Sequence, residues 1–136
     1  MPELVVIIQC DDVTKRCSGF FCVNDFYERT GKFEAYPEET RYMTMTCGGC
    51  CGNFLTPKLE NLGRRLSKAK LTKDDVAVHF ASCICSDNAH REPCPFINRM
   101  KNLLERKGFH NIVYGSHISQ KTEAKRKAGI YKPIRN

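Results

Sequence analysis

The sequence predicts a three-layer α/β domain: a short, mostly parallel four-stranded sheet with helices on both faces. The winding is Rossmann-like or flavodoxin-like, with strand order 2-1-3-4. Three observations carry this. Four short apolar or β-branched runs, residues 4–8, 41–46, 76–81 and 111–114, alternate with helical or loop segments. The first run is continuously apolar and the third nearly so, broken only by His79, as suits strands covered on both faces. The chain's 136 residues, 41% hydrophobic and 27% charged, suit one globular domain and argue against bulk disorder.

The first strand, Leu4-Val-Val-Ile-Ile8, reads as fully buried, while Arg41-Tyr-Met-Thr-Met-Thr46 is less apolar and belongs nearer an edge. Between them, Phe20 to Arg29 forms a short helix with Phe20, Val23 and Phe26 or Tyr27 facing inward, ended by Gly31, and residues 31–40 form a loop. After the second strand, Leu59, Leu62, Leu66 and Ala69 repeat at helical spacing. Thr56 is the expected N-cap of that helix, with Pro57 at N1 and Glu60 in its first turn. Phe96, Ile97, Met100, Leu103 and Leu104 form the last stripe, opened by Pro95 and stopped by Gly108. Residues 1–119 are expected to make one domain.

The net charge of +7 is unevenly placed. Residues 119–136 carry six Lys/Arg against one Glu, leaving the body nearly neutral. Without an apolar stripe, residues 120–136 read as a basic, solvated and flexible tail, ahead of a nucleic-acid arm. Leu4–Ile8 is too short for a membrane span or a secretory core, so a cytoplasmic protein without membrane contact is expected.

Nine cysteines are the outlier, and an odd number without an export signal favours metal ligation or thiol chemistry over a disulfide scaffold. Cys10, Cys47 and Cys83 each follow a strand, and His117 follows the fourth. The carboxyl ends of parallel strands share one edge of the sheet, so these four side chains are expected to converge there. Cys17, Cys50, Cys51, Cys85 and Cys94 sit in the same loops; Cys22, inside a helix, reads as core packing. The sharpest motif is Cys47-Gly48-Gly49-Cys50, whose spacing lets two sulfurs reach one tetrahedral ion. Cys94 precedes Pro95 at a helix start, where the positive helix end favours a thiolate. His79 reads as a buried, hydrogen-bonded core histidine, and His90 and His110 as solvated.

These residues carry a resemblance. From about residue 4 to 119 the sequence resembles the CGGC domain family. The likeness rests on the strand ending in Cys10, on Cys17, Cys47-Gly-Gly-Cys50, Ser82-Cys83-Ile84, Cys94-Pro95 and Gly115-Ser116-His117. It implies a metal-binding domain, zinc being the expected ion, with ligands among Cys10, Cys17, Cys47, Cys50, Cys83, Cys94 and His117. It attaches no reaction. The chain departs from the family at Cys51, where proline is common, and in the extra Cys85.

Zinc is the first expectation, with an iron–sulfur cluster or another thiophilic metal as the alternative, because soft thiolates suit all of them. A small molecule or a protein could join the ion at the sheet edge. The competing reading is a thiol–disulfide protein using Cys47 and Cys50 as an exchanging pair, with Cys94 or Cys83 resolving. No glycine-rich phosphate loop follows the first strand, so nucleotide-dependent classes are set aside. Cys10 and Arg16 do have the spacing of a phosphatase loop, but Asp11 and Asp12 would repel a phosphate.

Overall fold

A computed structural model describes residues 1–86 and 92–131. Its four strands are β1 (Leu4–Gln9), β2 (Arg41–Thr46), β3 (Val76–Phe80) and β4 (Asn111–Tyr114). They form one all-parallel sheet in the order β2-β1-β3-β4, the expected 2-1-3-4. The helices are α1 (Phe20–Glu28), α2 (Leu55–Lys68), α3 (Ser82–Cys85), α4 (Ile97–Arg106) and α5 (Gln120–Lys127).

The strand alternation sorts the core into two layers. Leu4, Val6 and Ile8 of β1 join Val78 and Phe80 of β3 on one face. Leu55, Leu59, Leu62 and Leu66 of α2 and Met100 and Leu104 of α4 close that layer. Val5, Ile7 and Ala77 point to the opposite face, which Phe26 of α1 and Phe33 cover. Each such buried side chain contributes about 1.5–3 kcal/mol. The edge position of β2 explains why Arg41, Tyr42 and Thr44 tolerate water.

Several local expectations change. Helix α2 starts one residue before Thr56, with Phe54 as its N-cap, so Thr56 and Pro57 both lie inside the first turn. In α1, Phe26 is buried while Phe20 and Tyr27 are exposed. The inward stripe runs instead through Cys22 and Phe26, four residues apart, as helical periodicity requires. This helix ends before Gly31, at Arg29, which takes a left-handed conformation (φ 56°). The Arg29 guanidinium donates to the carbonyls of Phe26, Tyr36, Pro37 and Glu38, which ties the turn together. Residues 120–127, expected in the solvated tail, form α5, capped by the Ser119 hydroxyl accepting from the Thr122 N–H.

His79 is the core histidine expected. Its Nδ1–H donates to the Gly115 carbonyl at 2.9 Å, and Nε2 accepts from the Tyr36 hydroxyl at 2.7 Å. His110 is exposed. His90 lies outside the described residues. Among these residues, no helix is long and apolar enough to cross a membrane.

Candidate functional site

Parallel pairing brings the carboxyl ends of the strands to one edge. The ladder continues just past them: the Cys47 N–H donates to the Gln9 carbonyl, Ala81 N–H to Ile8, and Gly115 N–H to Phe80. Cys10, Cys47, Cys83 and His117 follow those bonds in sequence and therefore leave the sheet at the same edge.

The thiols there are joined through backbone donors. The Asp11 N–H donates to Cys47 Sγ at 3.4 Å, and the adjacent Cys10 N–H donates to Cys83 Sγ at 3.5 Å. A backbone bond from Cys94 N–H to the Ile84 carbonyl, 2.7 Å, seats Cys94 beside the Cys83 segment. Cys94 Sγ accepts the Phe96 N–H at 3.4 Å. Three sulfurs, from the turn after β2, from α3 and from the segment just before α4, thus each receive a main-chain N–H. Cys10 and Cys47 are buried, and Cys17, Cys83 and Cys94 pack partly buried against the same core layer.

Burial pushes the Cys83 thiol up to about 12; the sulfurs of Cys22, Cys10 and Cys17 add to the rise, and the Cys10 N–H opposes it. Cys83 is therefore a neutral thiol at neutral pH. Cys85 is 1% exposed, its thiol donates to the Phe80 carbonyl at 3.6 Å, and burial raises it to about 11. It is a core residue.

The turn after β2 needs its glycines. Gly48 has φ 78°, and a Cβ there would stand 2.6 Å from Phe54 Cβ; Gly49 has φ 107° and open space around it. The turn sends the two cysteines apart in exposure: Cys47 is 7% exposed and faces Asp11, whereas Cys50 is exposed at the start of a 3₁₀ turn. A brace holds the loop's base. Lys58 Nζ donates to the carbonyl and hydroxyl of Thr46, whose hydroxyl donates to the Asp11 carboxylate at 2.9 Å.

His117 turns toward α1. Its Nδ1–H donates to Asp25 Oδ2 at 2.7 Å, and Phe21 stacks on the ring at 4.7 Å. Beside it opens a cleft of about 530 Å³ lined by Cys17, Cys22, Cys83 and His117, with Thr122 and Arg126 of α5 on its wall. Cys22 Sγ and Ser116 Oγ share a hydrogen bond at 3.2 Å.

Apart from Cys50, which is exposed and belongs to neither, the expected ligands fall into two neighbouring groups. Cys10, Cys17, Cys47, Cys83 and Cys94 surround the edge next to α2 and α4; His117 joins Cys17 and Cys83 in the cleft beside α1. Cys22, expected as core packing, does pack partly buried against the core under α1, and it also lines the cleft. Its signal was the three-residue step to Asp25, which puts thiol and carboxylate on one helix face. The soft donor set fits a thiophilic ion, and Cys10, Cys17, Cys47, Cys83 and Cys94 are the residues that could hold one. Among the described residues, however, no three His, Cys, Asp or Glu donors stand close enough together to hold an ion as placed.

A family model for the CGGC domain matches residues 4–117. No curated protein and no solved structure matches the chain.

Proposed function

The chain belongs to the CGGC domain family, and we propose that it binds one thiophilic metal ion, zinc in the first place, at the carboxyl edge of its sheet. The ligands are drawn from Cys10, Cys17, Cys47, Cys83 and Cys94. The observation that carries this reading is the set of main-chain N–H groups aimed at Cys47, Cys83 and Cys94. Neutral buried thiols have little use for three such donors, whereas metal-bound thiolates depend on them to spread their charge. Binding draws a proton from each ligating thiol, including Cys83. Four sulfurs satisfy a closed structural zinc site, and three leave a position open for a further ligand.

The reading of Cys47 and Cys50 as a redox pair finds less support, since one sulfur is buried against Asp11 and the other is exposed. Titration of the reduced, metal-free chain with Co²⁺ tests the proposal. Intense sulfur-to-cobalt charge-transfer absorption saturating at one equivalent, and lost in Cys47→Ser and Cys83→Ser, is expected. Absorption that never saturates, or survives both substitutions, refutes it.

A further inference from the structure

We propose that the cleft beside α1 is a second, thiol-reactive site. In it Cys22 exchanges with an uncharged low-molecular-weight disulfide, His117 takes the thiol proton, and Asp25 positions His117. This goes beyond the metal reading, because Cys22 and Asp25 belong to α1 on the opposite face from α2 and α4.

Geometry carries it. Cys22 and His117 line the same cleft, whose volume of about 530 Å³ falls in the range of small-molecule sites. Cys22 Sγ hydrogen-bonds to Ser116 Oγ, and the next residue, His117, is bonded through Nδ1 to Asp25, one turn beyond Cys22. A carboxylate accepting from Nδ1–H fixes the tautomer of the neutral ring and leaves Nε2 as its acceptor nitrogen, on a residue that lines the cleft. The stacked Phe21 ring limits rotation of the imidazole. Nucleophile, base and orienting carboxylate are the parts of an activated thiol.

The lining selects the disulfide. Glu123 and Arg126 pair with each other across one wall, and Asp25 is taken by His117. The remaining polar wall is largely hydroxyl, from residues such as Ser18, Ser82, Ser119 and Thr122. An uncharged disulfide with hydroxyl-bearing arms matches it best. In the exchange, Cys22 gives its proton to His117 Nε2 and the thiolate attacks one sulfur of R–S–S–R. The new S–S bond forms as the old one breaks; R–S⁻ departs with the electron pair and recovers the proton from His117 as R–SH. The product is a Cys22–S–S–R mixed disulfide, with no net oxidation.

The test mixes the reduced full chain with bis(2-hydroxyethyl) disulfide and follows the adduct at each cysteine by peptide mass spectrometry. Cys22 should acquire it first. His117→Ala should slow Cys22 by about a hundredfold and leave Cys50 unchanged. Asp25→Asn should slow Cys22 by roughly tenfold and move the His117 ring-nitrogen resonances away from the Nδ1–H tautomer. If His117→Ala does not fold, the Asp25→Asn rates and resonances decide. Adducts at Cys50 ahead of Cys22, an unchanged Cys22 rate in Asp25→Asn, or shielding of Cys22 by one equivalent of zinc each overturn the proposal. A chain that labels Cys22 first yet retains no zinc refutes the metal reading alone.

Discussion

The main-chain N–H of Asp11 points at the sulfur of Cys47 across 3.4 Å, joining residues 36 apart in the chain. Its neighbour, the Cys10 N–H, does the same for Cys83. Two consecutive amides at the end of β1 thus serve sulfurs from the loops after β2 and β3. That arrangement follows from strand order: β1 lies between β2 and β3, so its carboxyl end is within reach of both.

Zinc binding should release protons, because Cys83 is neutral before it binds. Apparent affinity is expected to rise with pH by roughly tenfold per unit for each proton displaced. Calorimetry in buffers of different ionisation enthalpy counts those protons. A pH-independent affinity would mean that Cys83 is not a ligand.

The metal-free protein should lose stability in alkali. Burial raises Cys83 to about 12 and Cys85 to about 11, against an ordinary 9.0. Below 9 both states hold these protons and stability is constant. Above 9 the unfolded chain ionises first, so the unfolding free energy falls as pH rises toward 11–12. Urea midpoints in reducing buffer should decline across this window, and less steeply in Cys85→Ala.

Acid should act through His79. Burial lowers its pKa below the ordinary 6.5, the Gly115 carbonyl opposing this in part. The folded imidazole stays neutral while the unfolded one charges, so its contribution is present above about 6.5 and lost as pH falls below it. Denaturation midpoints from pH 8 down to about 5 test this; a midpoint constant over that range, with His79 neutral by NMR throughout, would contradict it.

The two glycines of the turn after β2 should differ. Gly48→Ala meets both a left-handed φ and Phe54 at 2.6 Å, whereas Gly49→Ala meets open space and only the backbone cost of its φ 107°, ψ 165° conformation, about 1–3 kcal/mol. Gly48→Ala should therefore cost more stability and weaken zinc binding further. Equal losses would show that the Phe54 contact yields without cost.

The layered sheet was legible because strands covered on both faces are nearly all apolar, as Leu4–Ile8 and, apart from His79, Val76–Phe80 are. From strand order came the convergence of Cys10, Cys47 and Cys83. Strand ends do not specify which face a following side chain takes. Gly115, at φ 121°, redirects the chain after β4, and His117 meets Asp25 on α1. The place of Cys22 at the cleft was hidden because α1 begins Phe-Phe-Cys-Val, which offers several inward stripes. Packing against Phe33 selects the one through Phe26 and Cys22. The CGGC tetrapeptide suggested two equivalent sulfurs, but positive φ angles at Gly48, Gly49 and Cys51 turn one inward and one outward. Ser119 and Thr122 could have announced α5, whose cap compensates for its missing apolar stripe.

The most direct measurement is metal content combined with an alkylation footprint of all nine cysteines, taken before and after chelation. The account predicts one zinc per chain, with Cys47, Cys83 and Cys94 shielded until the metal is removed and Cys50 reactive throughout. Protein that retains no metal under reducing conditions, with Cys47 and Cys83 alkylated as readily before chelation as after it, would contradict it.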